Sequence, residues 1–172
     1  TSKKTEIYNK EYLENKEVKV NINYLNTDGI VKLKSSSIDI EGLQFFVKGF
    51  LNQENYLDLE IIGEKQNIKS FTQNTPKHLR QIYASILLDG IINYNAIIKG
   101  KIGSQKNPHL TIDYSVTEGV FETKKYPFYL SSISCNGIID NGLGNNFKSS
   151  SVSFNNFDGK TKKGNIKGEF LL

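Results

Sequence analysis

The sequence predicts a mainly β protein: a curved antiparallel sheet that forms a groove, a half-open barrel or a sandwich, with one amphipathic helix at about 76–88. Apolar and polar residues alternate through successive runs, which places the apolar side chains of each strand on one face. Unbroken apolar runs, typical of parallel strands covered on both faces, are missing. A strand ending is also repeated, as Val47-Lys48-Gly49, Ile98-Lys99-Gly100 and Ile166-Lys167-Gly168, which indicates a repeated unit of sheet.

The alternating runs define the strands in chain order. Each run has an apolar residue at about every second position, so its apolar residues share one face. The runs are Val18/Val20/Ile22/Tyr24, Leu43/Phe45/Val47, Leu57/Leu59/Ile61, Ile92/Tyr94/Ala96/Ile98, Leu110/Ile112/Tyr114/Val116, Ile133/Cys135/Ile139 and Ile166/Phe170/Leu172. Residues 1–17 are rich in Lys, Glu and Asn and are assigned to no element.

Glycines mark the turns between these runs. Asp28-Gly29, Glu118-Gly119 and Asn141-Gly142 are dipeptides that tolerate the positive φ angles of a tight hairpin, and each follows an alternating run. The three glycines of the repeated strand ending have two interpretations. They either bend the sheet at a bulge or simply end their strands.

One segment breaks the alternation and predicts the helix. From Pro76 to Leu88 the apolar residues have the i, i+3, i+4, i+7, i+8 spacing of a helical stripe. Thr75 suits the N-cap, Pro76 the first turn and Gly90 the end of the helix. The stripe consists of Leu79, Ile82, Tyr83, Ile86 and Leu87, and we expect it to lie against the sheet as a cap or gate at one end.

Length and composition predict one domain over 1–172, or one segment of a longer sheet. The chain has 172 residues, of which 37% are hydrophobic, enough for a buried core. It contains no run of apolar residues long enough for a membrane span and no apolar signal region at its start. It begins without Met and stops inside an alternating run, so we expect a piece excised from a longer protein.

The charge pattern argues against nucleic-acid binding. The net charge is +4, but Arg80 is the single arginine in the sequence, and arginine is the residue that reads bases and phosphates with two hydrogen bonds. The lysines alternate along strands, which is typical of a solvated outer face that also protects sheet edges. Weak attraction to anionic lipid headgroups stays open.

The residues for catalysis or metal binding are few, and we expect no enzyme, no metal site and no cofactor. His78 and His109 are the only histidines, and neither belongs to a cluster with ligand spacing. Cys135 shares its face with Ile133 and Ile139, which indicates a small buried hydrophobe. Carboxylates distant in the sequence could still meet in space.

From about residue 57 onward the chain resembles the AsmA-like family of Gram-negative envelope proteins, relatives of the TamB-type β-groove proteins. The resemblance depends on the order of its segments more than on any single one, and Ser36 to Phe50 looks like a preceding strand pair. The segments are Leu57-Asp58-Leu59-Glu60-Ile61-Ile62-Gly63, Ile68-Lys69-Ser70-Phe71, the predicted helix Thr75 to Leu88, Asp89-Gly90, Ala96-Ile97-Ile98-Lys99-Gly100-Lys101-Ile102, Asn107-Pro108-His109-Leu110, Thr117-Glu118-Gly119-Val120-Phe121 and Gly164-Asn165-Ile166-Lys167-Gly168-Glu169-Phe170.

The resemblance implies a non-catalytic periplasmic β-groove that holds phospholipid acyl chains and contributes to lipid transport between membranes and to outer-membrane assembly. The full-length protein would be anchored in the inner membrane through parts of the chain that are missing here. Fourteen apolar residues are the candidate groove wall: Leu43, Phe45, Val47, Leu57, Leu59, Ile61, Ile92, Tyr94, Ala96, Ile98, Leu110, Ile112, Tyr114 and Val116.

Three alternatives stay open at this point. The same apolar residues could fill an ordinary β-sandwich core with no room for lipid. The chain could be a structural module that binds envelope protein partners through its sheet edges. An envelope enzyme would need a cluster of carboxylates near His78 or His109. The space beside the apolar face decides between a lipid groove and a packed core.

Overall fold

The computed structural model describes residues 5–7, 10–12, 16–74, 84–103 and 107–172. Within these residues lie one short α-helix, α1 (Ile68–Asn74), and one 3-10 turn at Phe147–Ser149. Strands make up most of the rest. They are β1 (Thr5–Ile7), β2 (Lys10–Tyr12), β3 (Val18–Asn21), β4 (Tyr24–Thr27), β5 (Ile30–Ile40), β6 (Leu43–Leu51), β7 (Tyr56–Asn67), β8 (Ile86–Lys101), β9 (His109–Thr123), β10 (Phe128–Asp140), β11 (Ser151–Thr161) and β12 (Gly164–Leu171).

Strands β3 to β12 form one antiparallel sheet in which neighbours in the chain are neighbours in space. The order runs from β12 at one edge to β5, and β3 and β4 both pair with β5, one after the other along its length. The sheet is curved and does not close. The predicted fold class, a curved antiparallel sheet with a helix, is therefore confirmed. Strands β1 and β2 pair in a separate two-stranded ribbon.

Bulges account for the curvature. In five strands the pairing register shifts next to a residue in the left-handed region, where φ is positive: Ser35, Lys65, Glu118, Ser132 and Asn156. An extra residue on one strand bends that strand and increases its twist. Because the five bulges are spread from β5 to β11, the whole sheet bends.

Of the three predicted hairpin dipeptides, one is confirmed, one lies at a turn that is not a tight hairpin, and one is wrong. Asp28-Gly29 joins β4 to β5 with φ angles of 50° and 73°, as a type I′ hairpin requires. Asn141-Gly142 begins the longer connection that leads to β11. Glu118-Gly119, however, lies inside β9. Glu118 does take a positive φ, of 55°, but uses it for a bulge, and β9 continues to Thr123.

The helix predicted at about 76–88 is wrong where it can be compared. Leu79, Ile82 and Tyr83 lie outside the described residues, whereas Ile86 and Leu87 begin β8 and pair with the end of β9. The bulge at Glu118 lets β9 run on to Thr123, so that the start of β8 has a ladder partner. Gly90 does not end a helix: it has a φ of 125°, and a Cβ there would lie 2.7 Å from Cα of Gly119.

The helix in the structure, α1, comes earlier and has its own cap. The Asn67 side chain accepts a hydrogen bond of 3.1 Å from the backbone N–H of Ser70. This is the contact by which an N-cap residue satisfies one of the free amides of the first turn. Helix α1 therefore begins directly where β7 ends.

The repeated glycines differ in role. Gly49 and Gly168 each lie beside a register shift, in β6 and β12, whereas Gly100 is the next-to-last residue of β8. At Gly49, φ is 137°, and a Cβ would be 2.0 Å from the carbonyl oxygen of Asp58. Glycine is thus required at this close approach of β6 to β7, and both earlier interpretations, bending and strand ending, apply to different copies.

Candidate functional site

The ladder register places all fourteen predicted wall residues on one face of the sheet, called here the apolar face. Residues directly opposite each other in an antiparallel pair point to the same side. Val47, Ile61, Ala96 and Ile112 face one another in a row across four strands. Parallel rows are formed by Leu59, Ile98 and Leu110, by Tyr94 and Tyr114, and by Ile92 and Val116. Leu43, Phe45 and Leu57 alternate with these residues along β6 and β7.

This face is screened from water without being sealed. Leu43 is the most buried large apolar side chain in the described part of the molecule, at 4% exposed, and Val47, Ala96 and Tyr114 are also buried. The other ten wall residues are partly exposed. A sandwich core of this size would enclose several side chains completely.

Few elements lie over the apolar face. In the described residues, the strands of the main sheet pack closely with their ladder neighbours, and α1 packs against β8 and, less closely, β7. Helix α1 places Phe71 between two rings of the face, with centroids 6.2 Å from Phe45 and 5.9 Å from Tyr94, both edge to face. The helix thus covers the face around Phe45 and Tyr94, and among the described residues no second sheet packs on it.

The curved side of the sheet, from β9 to β12, packs on itself. Tyr114, Leu130, Ile133 and Cys135 form the buried cluster, surrounded by side chains of β8 to β12. The Tyr114 ring meets Phe154 edge to face at 6.1 Å. Burial raises the pKa of the Cys135 thiol, so this cysteine is a small hydrophobe here and not a nucleophile.

Two tyrosines at the centre of the apolar face each lie over a glycine. Tyr94 faces Gly63 on β7, and Tyr114 faces Gly137 on β10. The Tyr114 hydroxyl crosses Gly137 and donates a hydrogen bond of 2.7 Å to the carbonyl oxygen of Ser153. The Tyr94 hydroxyl is buried and has no hydrogen-bond partner among the described residues. Burial raises the pKa of both tyrosines to about 12.

The opposite face is polar and largely neutralised by ion pairs. The lysine of each repeated strand ending meets an acid directly across a ladder. Nζ to carboxylate distances are 2.7 Å for Lys48–Glu60, 2.7 Å for Lys99–Asp58 and 2.8 Å for Lys167–Asp158. The repeat thus encodes an apolar residue for one face, a paired lysine for the other, and a glycine.

His109 forms a pair with a carboxylate on this polar face. Its Nε2 lies 3.0 and 3.1 Å from the two oxygens of Asp140, and Thr111 donates a hydrogen bond to the same carboxylate. The hydrogen bonds from His109 and from the Gly142 backbone lower the pKa of Asp140. The pair is solvent-exposed, and within the described part of the chain no hydroxyl or thiol is hydrogen-bonded to His109. His78 lies outside the described residues, among which no cluster of metal-ligating side chains occurs.

Several residues of the face were not recognised from the sequence. Val152, Phe154 and Phe157 of β11 belong to it, but the bulge at Asn156 shifts their alternation by one position. The sequence pattern predicts no helix at Phe71. Asn67 is nevertheless a usable signal, because asparagine is a preferred N-cap residue at the start of a helix. The sequence around Gly63 and Gly137 does not indicate that a tyrosine ring lies over either glycine. Their role appears only through the tyrosines opposite them.

Comparisons with known proteins identify no family for this chain, so its class is defined by the fold alone. No family model matches the chain, and no curated protein or solved structure gives a match. The resemblance to the AsmA-like family stays a prediction. Among the described residues, no helix is both long enough and apolar enough to cross a membrane. The structure defines an open, curved antiparallel sheet with one apolar and one polar face.

Proposed function

We propose that the apolar face binds the acyl chains of phospholipids and that the protein is a passive, non-enzymatic carrier segment for them. The observation that carries the proposal is that fourteen apolar side chains share one face, ten of them partly exposed, with α1 as the cover over a part of it. An ordinary core would be enclosed by a second layer.

The energetics favour such an occupant. Each methylene removed from water contributes about 0.8 kcal/mol, so two acyl chains with on the order of 30 methylenes would cost over ~20 kcal/mol to expose completely. Strand β8 spans 16 residues, or roughly 50 Å at about 3.3 Å per residue. The wall residues of β8, Ile92 to Ile98, cover roughly 20 Å of this length, and the wall continues sideways across the four strands from β6 to β9.

A role in the Gram-negative envelope extends this proposal. The sequence resemblance to the AsmA-like family supports a periplasmic segment that helps lipids pass between the two membranes and so supports outer-membrane assembly. The acyl chains would be held without a cofactor. Transport itself would then require the protein to contact a membrane or an envelope partner at each end of the path.

Neighbouring isoleucines on β8 provide the test. Ile98 lies on the apolar face, whereas Ile97, 42% exposed, lies on the polar face. We expect phospholipid in an organic extract of the purified protein by mass spectrometry, a strong loss of it in Ile98→Asp, and no loss in Ile97→Asp. Circular dichroism checks that both variants keep the sheet. A lipid-free wild-type protein, or equal lipid in both folded variants, would refute the proposal.

A second candidate function is binding of protein partners through a sheet edge. It is favoured by the edge at β3 and β4, where Val20, Ile22 and Tyr24 are 53%, 57% and 64% exposed. An uncovered edge strand offers free backbone groups to another strand. Crosslinks to an envelope protein that vanish in Val20→Lys/Ile22→Lys but persist in Ile98→Asp would support this function over lipid binding.

A further inference from the structure

Two turns meet at one end of the sheet. Residues 124–127 join β9 to β10, and residues 162–163 join β11 to β12. Because β10 pairs with both β9 and β11 in antiparallel order, these turns lie at the same end. A depression of about 450 Å³ separates them, lined on one side by Thr123, Pro127 and Phe128 and on the other by Thr161, Lys162 and Lys163. The two turns are called here the basic end.

The lysines of the basic end have free charges. Lys124, Lys125, Lys162 and Lys163 form no ion pair within the described residues. Glu122 is the one acid that lines the depression, so the turns keep a clear excess of positive charge. The lysines of the repeated strand endings, in contrast, are all paired. The basic end therefore offers free positive charge to an anion, whereas the ion-paired lysines Lys48, Lys99 and Lys167 do not.

Exposed aromatic side chains stand beside these lysines. Tyr126 is 64% exposed, Phe128 41% and Tyr129 39%. The Lys125 Nζ lies 5.4 Å from the centroid of the Tyr126 ring. Phe128 also packs edge to face on Phe121, with centroids 6.2 Å apart, and Phe121 adjoins the buried cluster of the apolar face. The basic end is thus continuous with the apolar face.

The geometry points to a docking surface for an anionic phospholipid bilayer at the basic end. Lysines attract anionic headgroups within a Debye length, and tyrosine rings prefer the level of the headgroups. This combination of charge and aromatic side chains fits a membrane surface better than nucleic acid, because the described residues of the basic end include no arginine for bidentate contacts. A bilayer docked here would meet the end of the sheet where Phe128 packs on Phe121, beside the buried cluster of the apolar face.

The matched test compares two double variants that remove the same charge. Lys162→Gln/Lys163→Gln changes the basic end. Lys32→Gln/Lys34→Gln changes unpaired lysines of β5, and Lys32 lies in the row that runs through Phe50, Asp58 and Lys99 to His109, at the opposite end of β9. Binding is measured by co-sedimentation with vesicles of phosphatidylcholine alone and with added phosphatidylglycerol, at increasing salt.

We expect binding to the anionic vesicles only, weakened by salt. Each lysine near an anionic surface contributes about a fivefold factor in affinity, so Lys162→Gln/Lys163→Gln should lose roughly 25-fold. Lys32→Gln/Lys34→Gln should bind like the wild type. Equal losses in the two variants, equal binding to neutral vesicles, or binding to a single-stranded oligonucleotide with none to vesicles would each overturn the proposal.

This docking is separable from the lipid-carrying function. Ile98→Asp should bind anionic vesicles as the wild type does, because the substitution lies at the other end of β8 and β9 from the basic end. Loss of vesicle binding in Ile98→Asp would overturn an independent docking surface. Tyr126→Ser should weaken binding to anionic vesicles, and the loss should be larger at high salt than at low salt. High salt screens the attraction between charges, so the apolar part of the contact then dominates.

Discussion

The two sides of the apolar face are covered in different ways. Around Phe45 and Tyr94, helix α1 lies on the sheet and inserts Phe71 between the two rings. From β9 to β12 the strands carry bulges at Glu118, Ser132 and Asn156, and the sheet curls until its own side chains pack together. A covering helix on one side and close packing of the curled strands on the other thus serve the same purpose.

The contrast between the helix-covered side and the curled side is seen most directly at Tyr94 and Tyr114. They face each other across β8 and β9, and each ring lies over a glycine of the next strand. The Tyr114 hydroxyl reaches a backbone carbonyl, whereas the Tyr94 hydroxyl is buried without a partner in the described structure. We infer that the curled side, from β9 to β12, is held rigidly. On the helix-covered side, the buried hydroxyl of Tyr94 lacks the hydrogen bond that the Tyr114 hydroxyl has.

The largest expected effect comes from filling the glycines. A Cβ at Gly137 would lie 1.9 Å from the carbonyl oxygen of Ser153, whereas at Gly63 the nearest atoms, at 2.3 to 2.6 Å, belong to the Tyr94 ring. A ring can shift and a ladder carbonyl cannot. We expect Gly137→Ala to lower the free energy of unfolding by about 3 kcal/mol and Gly63→Ala by about 1 kcal/mol, measured by urea denaturation. Equal losses would show that both sides are equally rigid.

Removing the ring of the helix should have the next largest effect. Phe71→Ala loses two aromatic contacts but exposes a side that was only partly buried, so we expect a loss of about 2 kcal/mol in the free energy of unfolding. Lys69→Ala on the same helix, an exposed position, should change it by less than about 0.5 kcal/mol. Amide exchange of β8 near Tyr94 should become faster in Phe71→Ala and stay unchanged near Tyr114. Faster exchange at both tyrosines would contradict the separation of the two sides.

Removing the hydroxyl groups of Tyr114 and Tyr94 should have smaller effects on the free energy of unfolding, and the two effects should differ in direction. Tyr114→Phe removes the hydrogen bond to Ser153 and leaves its carbonyl with one acceptor site unused, which costs about 1 kcal/mol of unfolding free energy. Tyr94→Phe removes a buried hydroxyl that has no partner in the described structure, so stability should be unchanged or slightly higher. Thermal denaturation of the two variants in parallel measures the difference. A loss in Tyr94→Phe as large as in Tyr114→Phe would mean that its hydroxyl has a partner.

The sequence was informative where alternation is regular and misleading where bulges interrupt it. Strands β6 to β9 and all fourteen wall residues follow from a period of two, because no bulge falls within their predicted runs. Strand β11 was missed because the bulge at Asn156 changes which positions face inward. A bulge cannot be read from one sequence, since Glu118-Gly119 has the composition of a hairpin turn and serves as a kink.

The helix shows a second limit of sequence patterns. The stripe that includes Ile86 and Leu87 has helical spacing, but these two residues gain ladder partners at the end of β9. Tertiary pairing of this kind overrides local propensity. Helix α1 has only seven residues, too few for a periodic signal, and only its cap at Asn67 marks it. The face was therefore predictable, whereas the element that covers it was not.

Titration of Tyr94 and Tyr114 tests whether water is excluded equally from the two sides of the apolar face. Burial raises the pKa of Tyr94 and Tyr114 from 10.0 to about 12. A raised pKa in the folded state stabilises the protein fully below the unfolded value near pH 10, and that stability is lost as the pH rises toward 12. We therefore expect the free energy of unfolding to fall over this interval, and less steeply in Tyr94→Phe and Tyr114→Phe.

The same interval distinguishes the two tyrosines. Because burial, and not the hydrogen bond to Ser153, is the main cause of both shifts, ultraviolet difference titration should show the phenols of Tyr94 and Tyr114 ionising late, and each Phe variant should remove its own contribution. If Tyr94 alone ionised near pH 10, water would reach its ring while Tyr114 stayed dry. Such a result would mean that α1 opens in solution and exposes the part of the apolar face that it covers.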